Sequence, residues 1–356
     1  MLGKVVGRRK CRVSIGPLDR HSRNGLTASV QRNGFSAKTD HISATWILTD
    51  GHAGNQRQAS ALSQALGRAA TDWTLHPRAP WRWLAPRRLS GAERAFGPDF
   101  VHALSARPRL AIGCGRQAAL ATRLLRGPGC AAVQILDPRI DPAHWDLVIA
   151  PEHDGLRGGN VITLLGSLNP VDDLWLAGAR KAFPAFGALP GPRTALLLGG
   201  PSAHAAFDQA AFDTLAVQLQ ALLEREGGSL LATTSRRTPV EIRARLRERL
   251  ARLPRVSWYE PGEGTNPYPG LLGWADRIVC TADSVNMLSE AAATCVPVFA
   301  FGVERVDGRP RRFIDSLLSL GRVRMFDQSL LAYPVVPLRE TMRVAQEVRQ
   351  RLALQD

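Results

Sequence analysis

The sequence predicts an α/β protein made of two tandem doubly wound, Rossmann-like domains with a cleft between them. Three observations predict it. Short apolar runs recur, each ending in a turn of small and polar residues and followed by a helical pattern. Those runs do not alternate polar with apolar residues, which suits parallel strands covered on both faces. The series breaks once, in a proline-rich stretch around residues 170–192, and then resumes; at 356 residues the chain is also longer than a single core usually serves.

Taken in order, residues 1–42 are polar, basic and aperiodic and read as a disordered extension. A first domain is expected over 43–185. It opens on Ala44-Thr45-Trp46-Ile47-Leu48-Thr49, turns at Asp50-Gly51-His52-Ala53-Gly54-Asn55, and continues as a helix with Ala59, Leu62 and Leu66 on one face, stopped by Gly67. Leu110-Ala111-Ile112 leads through Gly113-Cys114-Gly115 into a helix over 117–125. Strands at 131–136 and 147–149 end at Asp137-Pro138-Arg139 and at Ala150-Pro151-Glu152-His153-Asp154. A second domain is expected over 186–335. Its strands are Thr194-Ala195-Leu196-Leu197-Leu198, Ser229-Leu230-Leu231-Ala232, Arg277-Ile278-Val279-Cys280 and 296–301, and residues 336–356 supply a last helix.

Hydrophobic residues make up 45% of the chain and charged residues 22%, as in ordinary globular proteins. No apolar run approaches the roughly 20 residues that span a bilayer, and Arg8, Arg9 and Lys10 are followed by no apolar stretch of the secretory type. A cytoplasmic location is expected, with peripheral attachment to the cytoplasmic face of the inner membrane as its variant. Cys11, Cys114, Cys130, Cys280 and Cys295 are scattered without CxxC spacing, so neither a disulfide framework nor a zinc site is expected. The formal net charge of +15 is almost entirely arginine. Without an RNP motif, zinc finger or helix-turn-helix signature, anionic lipid and phosphorylated ligands fit that charge better than nucleic acid.

In open parallel sheets ligands sit beyond the carboxyl ends of the strands, so the strand-exit loops hold the candidate site. Thr281-Ala282-Asp283-Ser284-Val285-Asn286-Met287-Leu288-Ser289-Glu290 closes a strand and opens a helix. Its amides suit a diphosphate, and Glu290 two turns on suits ribose hydroxyls. The same residues also read as an Asp/Ser cap with a surface glutamate. Gly199-Gly200-Pro201-Ser202 permits close backbone approach to a ligand or is a tight turn. Thr233-Thr234-Ser235-Arg236-Arg237 groups hydroxyls with guanidiniums, as a phosphate site or as a cap with solvated arginines. On the other half, His52 or Asp50 is the candidate general base. Gly51, Gly54, Asn55, Gly115 and Arg116 are placed on the acceptor side. Trp81-Arg82-Trp83 with Arg87 and Arg88 suits a membrane–water interface or a packed surface loop. No Asp-x-Asp stands at a strand end, so no metal is expected.

Together, Thr49-Asp50-Gly51-His52-Ala53-Gly54-Asn55, Leu136-Asp137-Pro138-Arg139, Gly199-Gly200-Pro201-Ser202, Asn266-Pro267-Tyr268 and Thr281-Ala282-Asp283-Ser284-Val285-Asn286-Met287 resemble the plant "elongated mitochondria" fission-factor family and its bacterial relatives, over about residues 44–330. In plants the resemblance implies recruitment of a dynamin-like protein in mitochondrial fission. In the bacterial branch it implies the GT-B fold of glycosyltransferases, with Ser284, Asn286 and Glu290 matching the nucleotide-sugar element. Thr281-Ala282-Asp283 stands where those enzymes often carry a glycine pair.

The expected function is metal-independent, inverting transfer of a sugar from a nucleotide-sugar to a cell-envelope or lipid-linked acceptor, with no cofactor. Gly200, Ser202, Thr234, Ser235, Arg236, Asp283, Ser284, Asn286, Met287 and Glu290 are the donor-binding set. The alternative is a non-catalytic GT-B scaffold that recruits a protein partner at a membrane. A Rossmann-type nucleotide-sugar epimerase is excluded, because the first loop lacks Gly-x-Gly-x-x-Gly and Tyr259, Tyr268 and Tyr333 have no lysine nearby.

Overall fold

The computed structural model describes residues 44–354; the expected basic extension, 1–42, lies outside them. The first sheet is built from β1 (Thr45–Thr49), β2 (Ala70–Thr74), β3 (Leu110–Cys114), β4 (Ala131–Ile135), β5 (Leu147–Pro151) and β6 (Val161–Leu164). All pair in parallel, in the order β2-β1-β3-β4-β5-β6. The second holds β7 (Arg193–Leu198), β8 (Ser229–Thr234), β9 (Arg255–Trp258), β10 (Arg277–Thr281), β11 (Val298–Phe301) and β12 (Arg324–Met325), also parallel, in the order β12-β11-β10-β7-β8-β9. The fold is thus α/β, two doubly wound parallel sheets of GT-B type.

Parallel strands need helical crossovers that cover the sheet, which is why the central strands read as unbroken apolar runs. Leu110, Ala111, Ile112 and Cys114 of β3, and Ile278, Val279 and Cys280 of β10, are buried on both faces. The four strands not expected from the sequence, β2, β6, β9 and β12, are the edges of the two sheets; β2 (Ala-Thr-Asp-Trp-Thr) and β12 expose residues to solvent and need fewer apolar side chains, while β6 is a mostly buried four-residue strand.

The helices are α1 (Ala53–Ala65), α2 (Trp81–Leu84), α3 (Pro98–Ala103), α4 (Arg116–Leu125), α5 (Asp173–Ala182), α6 (Gln209–Glu226), α7 (Val240–Arg249), α8 (Tyr268–Trp274), α9 (Val285–Ala292), α10 (Gly308–Ser319) and α11 (Thr341–Arg351). Two of them tie the halves together. The proline-rich stretch at 170–192, expected as a linker, carries α5, capped by the Asp172 carboxylate accepting from Trp175 N at 2.7 Å. Leu176 of α5 joins Tyr268, Leu271 and Leu272 of α8 in the core of the second sheet. Conversely α11 returns to the first sheet, where Val344, Ala345 and Val348 pack with Ile47 and Leu62. The chain therefore crosses between the halves twice, once before α5 and once before α11.

Candidate functional site at the two switch points

The direction of chain winding reverses between β1 and β3 in the first sheet and between β7 and β10 in the second. At such a point the two flanking exit loops diverge and leave a crevice outside the carboxyl ends. The exit loops of these four strands are those that carry Asp50–Asn55, Gly115-Arg116, Gly199–Ser202 and Ala282–Ser284.

On the first side, the Asp50 carboxylate organises the turn. One oxygen accepts from His52 N and from Asn55 Nδ2, each at 3.0 Å, and stands 3.0 Å from His52 Nδ1. Asp50 thereby orients the imidazole, whose ring is exposed. Gly115 packs so tightly on Asn55 that a Cβ there would lie 2.7 Å from its amide nitrogen, and its φ of +91° also favours glycine. Cys114 is inert: burial, aided by the Asp50 charge, pushes its thiol well above the usual range. The Arg116 guanidinium is directed elsewhere, donating to the carbonyls of Arg82 at 3.1 Å and Trp83 at 3.5 Å.

On the second side the glycine loop is held by its own chain. Gly199 N donates to Thr281 Oγ1 at 2.7 Å and Gly200 N to Asp283 Oδ2 at 3.0 Å. A Cβ on Gly199 would strike the Asp283 carboxylate, and one on Gly200 the Arg237 carbonyl. Arg237, rather than Arg236, supplies the counter-charge: its Nη2 stands 2.6 Å from Asp283 Oδ2 and its Nη1 donates to Gly200 O at 2.8 Å. Arg236 is exposed. The Thr234 hydroxyl donates to Tyr259 O at 2.9 Å, Ser235 Oγ accepts from Arg237 N at 3.1 Å, and Ser202 Oγ accepts from His204 N at 3.3 Å, so these three hydroxyls shape their own loops. Asp283 Oδ1 is buried with no hydrogen-bond partner.

The two sides meet where α1 and α9 begin. Ser284 caps α9, its hydroxyl accepting from Met287 N at 3.4 Å, while Met287 packs into the core. Asn286 stands against Gly54, where a Cβ would collide with its amide, and accepts from Gln58 Nε2 at 3.5 Å. One turn further, Glu290 Oε1 stands 2.6 Å from Arg57 Nη1, and its Oε2 accepts from the Tyr268 hydroxyl. The Arg57 guanidinium lies 5.0 Å over the Tyr268 ring.

Glu290 is therefore no surface glutamate. It is 3% exposed, one oxygen engaged across the cleft by Arg57 and the other by Tyr268 of its own half, so a ligand hydroxyl reaches it only by joining or displacing them. A cavity of about 270 Å³ adjoins the group, lined also by Trp175 and Asn266. Arg57 and Gln58 had no signature in the sequence, while Arg237 stood out only within the Thr233–Arg237 group and Tyr268 only within the Asn266-Pro267-Tyr268 motif. Their partners lie far along the chain, and only folding brings them into reach.

Among the described residues no cluster of three or more His, Cys, Asp or Glu is placed to hold a metal, and no helix is long and apolar enough to cross a membrane.

Comparison with known proteins follows the same lines. Residues 53–352 match the family described as mitochondrial fission ELM1. The mitochondrial fission protein ELM1 of Arabidopsis thaliana is 31% identical over 281 residues, 69% of this chain and 64% of that protein, so the chain spans less than two thirds of its length. An uncharacterized protein of Rickettsia prowazekii is 24% identical over 87% of this chain and 98% of its own. Among solved structures, the UDP-GlcNAc 2-epimerase of Methanocaldococcus jannaschii shares the fold with a TM-score of 0.50 at 12% identity, over 85% of this chain and 91% of that one. With its matched region running from α1 through the closing helix and leaving out only β1 of the two sheets, the chain belongs to the mitochondrial fission ELM1 family.

Proposed function

We propose that the cleft between the sheets binds a nucleotide-sugar and transfers its sugar to a cell-envelope or lipid-linked acceptor without a metal. The observation that carries this reading is the direct apposition of the two switch points, Gly54 of α1 against Asn286 of α9. A donor held at the start of α9 then lies beside the Asp50-oriented His52 turn.

In this reading the diphosphate takes the first-turn amides of α9, which have no intrahelical acceptor, and the helix dipole favours its charge. Arg237 at Asp283 adds a fixed positive group, so the departing diphosphate is stabilised by preorganised dipoles. His52 removes the acceptor proton through Nε2, with Asp50 holding Nδ1. Trp83, 66% exposed among Arg82, Arg87 and Arg88, suits peripheral contact with an anionic membrane.

The scaffold reading is favoured by one fact: both oxygens of the buried Glu290 carboxylate are taken by Arg57 and Tyr268. A calorimetric screen of nucleoside diphosphates and their sugars, UDP-sugars first because of the fold likeness, separates the two. Saturable binding that Asn286→Ala weakens at least tenfold, with turnover that His52→Ala abolishes, is the result expected of the enzyme. Silence from folded protein would move the scaffold reading to the front.

A further inference from the structure

We infer that a second site in the cleft, outside the residues above, binds a phosphate-bearing ligand through three arginines drawn from both halves. The site is a cavity of about 490 Å³ lined by Arg139, His204, Gly308, Arg309 and Arg312. Arg139 leaves the carboxyl end of β4, Arg309 and Arg312 stand on α10 after β11, and His204 follows the Gly199-Gly200 turn. The cavity is several times larger than a phosphate, so it admits the group attached to one.

The guanidiniums are held for use rather than spent. Asp137 and Asp154 are nearly buried beneath them, their side chains 10% and 11% exposed. Arg139 lies 3.3 Å from Asp137 and 3.9 Å from Asp154, and Arg309 lies 3.2 Å from Asp154 and 3.9 Å from Asp137. Two carboxylates thus share two arginines through single, partly long contacts, whereas a guanidinium carries five donors. Arg312 donates to the His153 carbonyl at 2.7 Å, which orients it, and its charge reaches Asp154 without a direct ion pair. Asp307 is turned to His204 at 3.1 Å on the exposed rim.

Two backbone features point the same way. Arg139 sits at φ +63°, a strained conformation for a side chain of its size, held there by its N–H donating to Asp137 Oδ1 at 2.8 Å. The 12-residue helix α10 begins at Gly308 with no acidic residue in its first turn, and its N-cap residue, Asp307, makes no capping bond but turns to His204. Planar guanidinium forks converging on one space match phosphate geometry. The site touches the donor-binding set only through His204 N, which donates to Ser202 Oγ at 3.3 Å; its arginines have no bond to Asn286, Asp283 or Glu290.

The test is calorimetric titration of the full chain with inorganic pyrophosphate at low ionic strength. Arg139→Gln/Arg312→Gln should weaken binding at least tenfold while near-UV circular dichroism and the thermal unfolding profile stay as in the parent. Arg312→Gln alone, at an exposed position, should weaken it several-fold. Comparing octyl phosphate with inorganic phosphate identifies the source: tighter binding of the alkyl ester marks a lipid-borne phosphate, equal binding a soluble one. Pyrophosphate affinity that survives the double substitution, or stronger binding of glucuronate than of phosphate, would overturn the inference.

Discussion

Arg57 and Glu290, 233 residues apart, meet at 2.6 Å and join the first helix of one sheet to the switch-point helix of the other. Burial alone would lower the basicity of Arg57, yet the charge of Glu290 and its hydrogen bond raise it above its ordinary value. The pair is nearly dry on the carboxylate side, 4% exposed, and half-open on the arginine side.

Removing one partner strands the other. Arg57→Ala leaves a buried carboxylate with only the Tyr268 hydroxyl, and we expect a loss of about 3 kcal/mol in urea unfolding. Arg57→Met/Glu290→Met together should cost less than Arg57→Ala alone. An additive double substitution would show that the pair contributes no coupling.

Tyr268→Phe keeps the ring under Arg57 and deletes only the donor to Glu290 Oε2. Stability should fall by about 1–2 kcal/mol, because a buried charged acceptor loses its partner. The melting profile reads it directly, and an unchanged profile would mean that water replaces the hydroxyl.

Gly200→Ala should be among the most damaging single-methyl additions in the chain. Its Cβ would meet the backbone of Arg237 and Thr238, which cannot rotate away as a side chain would. We expect about 2 kcal/mol or more of destabilisation and loss of nucleotide-sugar binding. Gly129→Ala, where nothing lies within 4 Å of the added Cβ but φ is +80°, gives the cost of backbone strain alone for comparison.

His153 gives a pH signature. Burial first, and then the neighbouring Arg312 charge, lower its pKa from 6.5 to about 4. The folded state holds the ring neutral while the unfolded chain protonates it below pH 6.5, so the unfolded state binds more protons in the window from 6.5 down to 4. Stability should therefore decline as pH falls through that window, by about 1–2 kcal/mol once solvent screening of this partly exposed ring is counted. His153→Gln should flatten that part of the stability curve; an identical slope in the variant would assign it to other groups.

Much of the molecule was legible in the chain because its causes are local. Apolar runs such as Leu196-Leu197-Leu198 and Ile278-Val279-Cys280 become central strands since only a doubly covered sheet removes them from water. Turn and cap residues, among them Gly115 and Ser284, fix where strands end and helices begin. That placed the candidate loops at the carboxyl ends of β1, β3, β7 and β10, and the short family motifs did the rest.

What the sequence could not supply was set by distance along the chain and by solvent. The polar edge strands β2 and β12 bury too little to leave a periodic signal. The helix α5, amid prolines, is anchored by contacts with α8 that no local pattern encodes. Glu290 looked free to meet a ligand because Arg57 and Tyr268 are remote in sequence, and Arg236 and Arg237 looked equivalent until the loop turned one toward Asp283 and the other to solvent. Local physical chemistry determined the elements, their order and the loops that end them. Tertiary structure alone decided which charges pair, because Coulomb attraction and desolvation act over ångströms in space and are blind to separation along the chain.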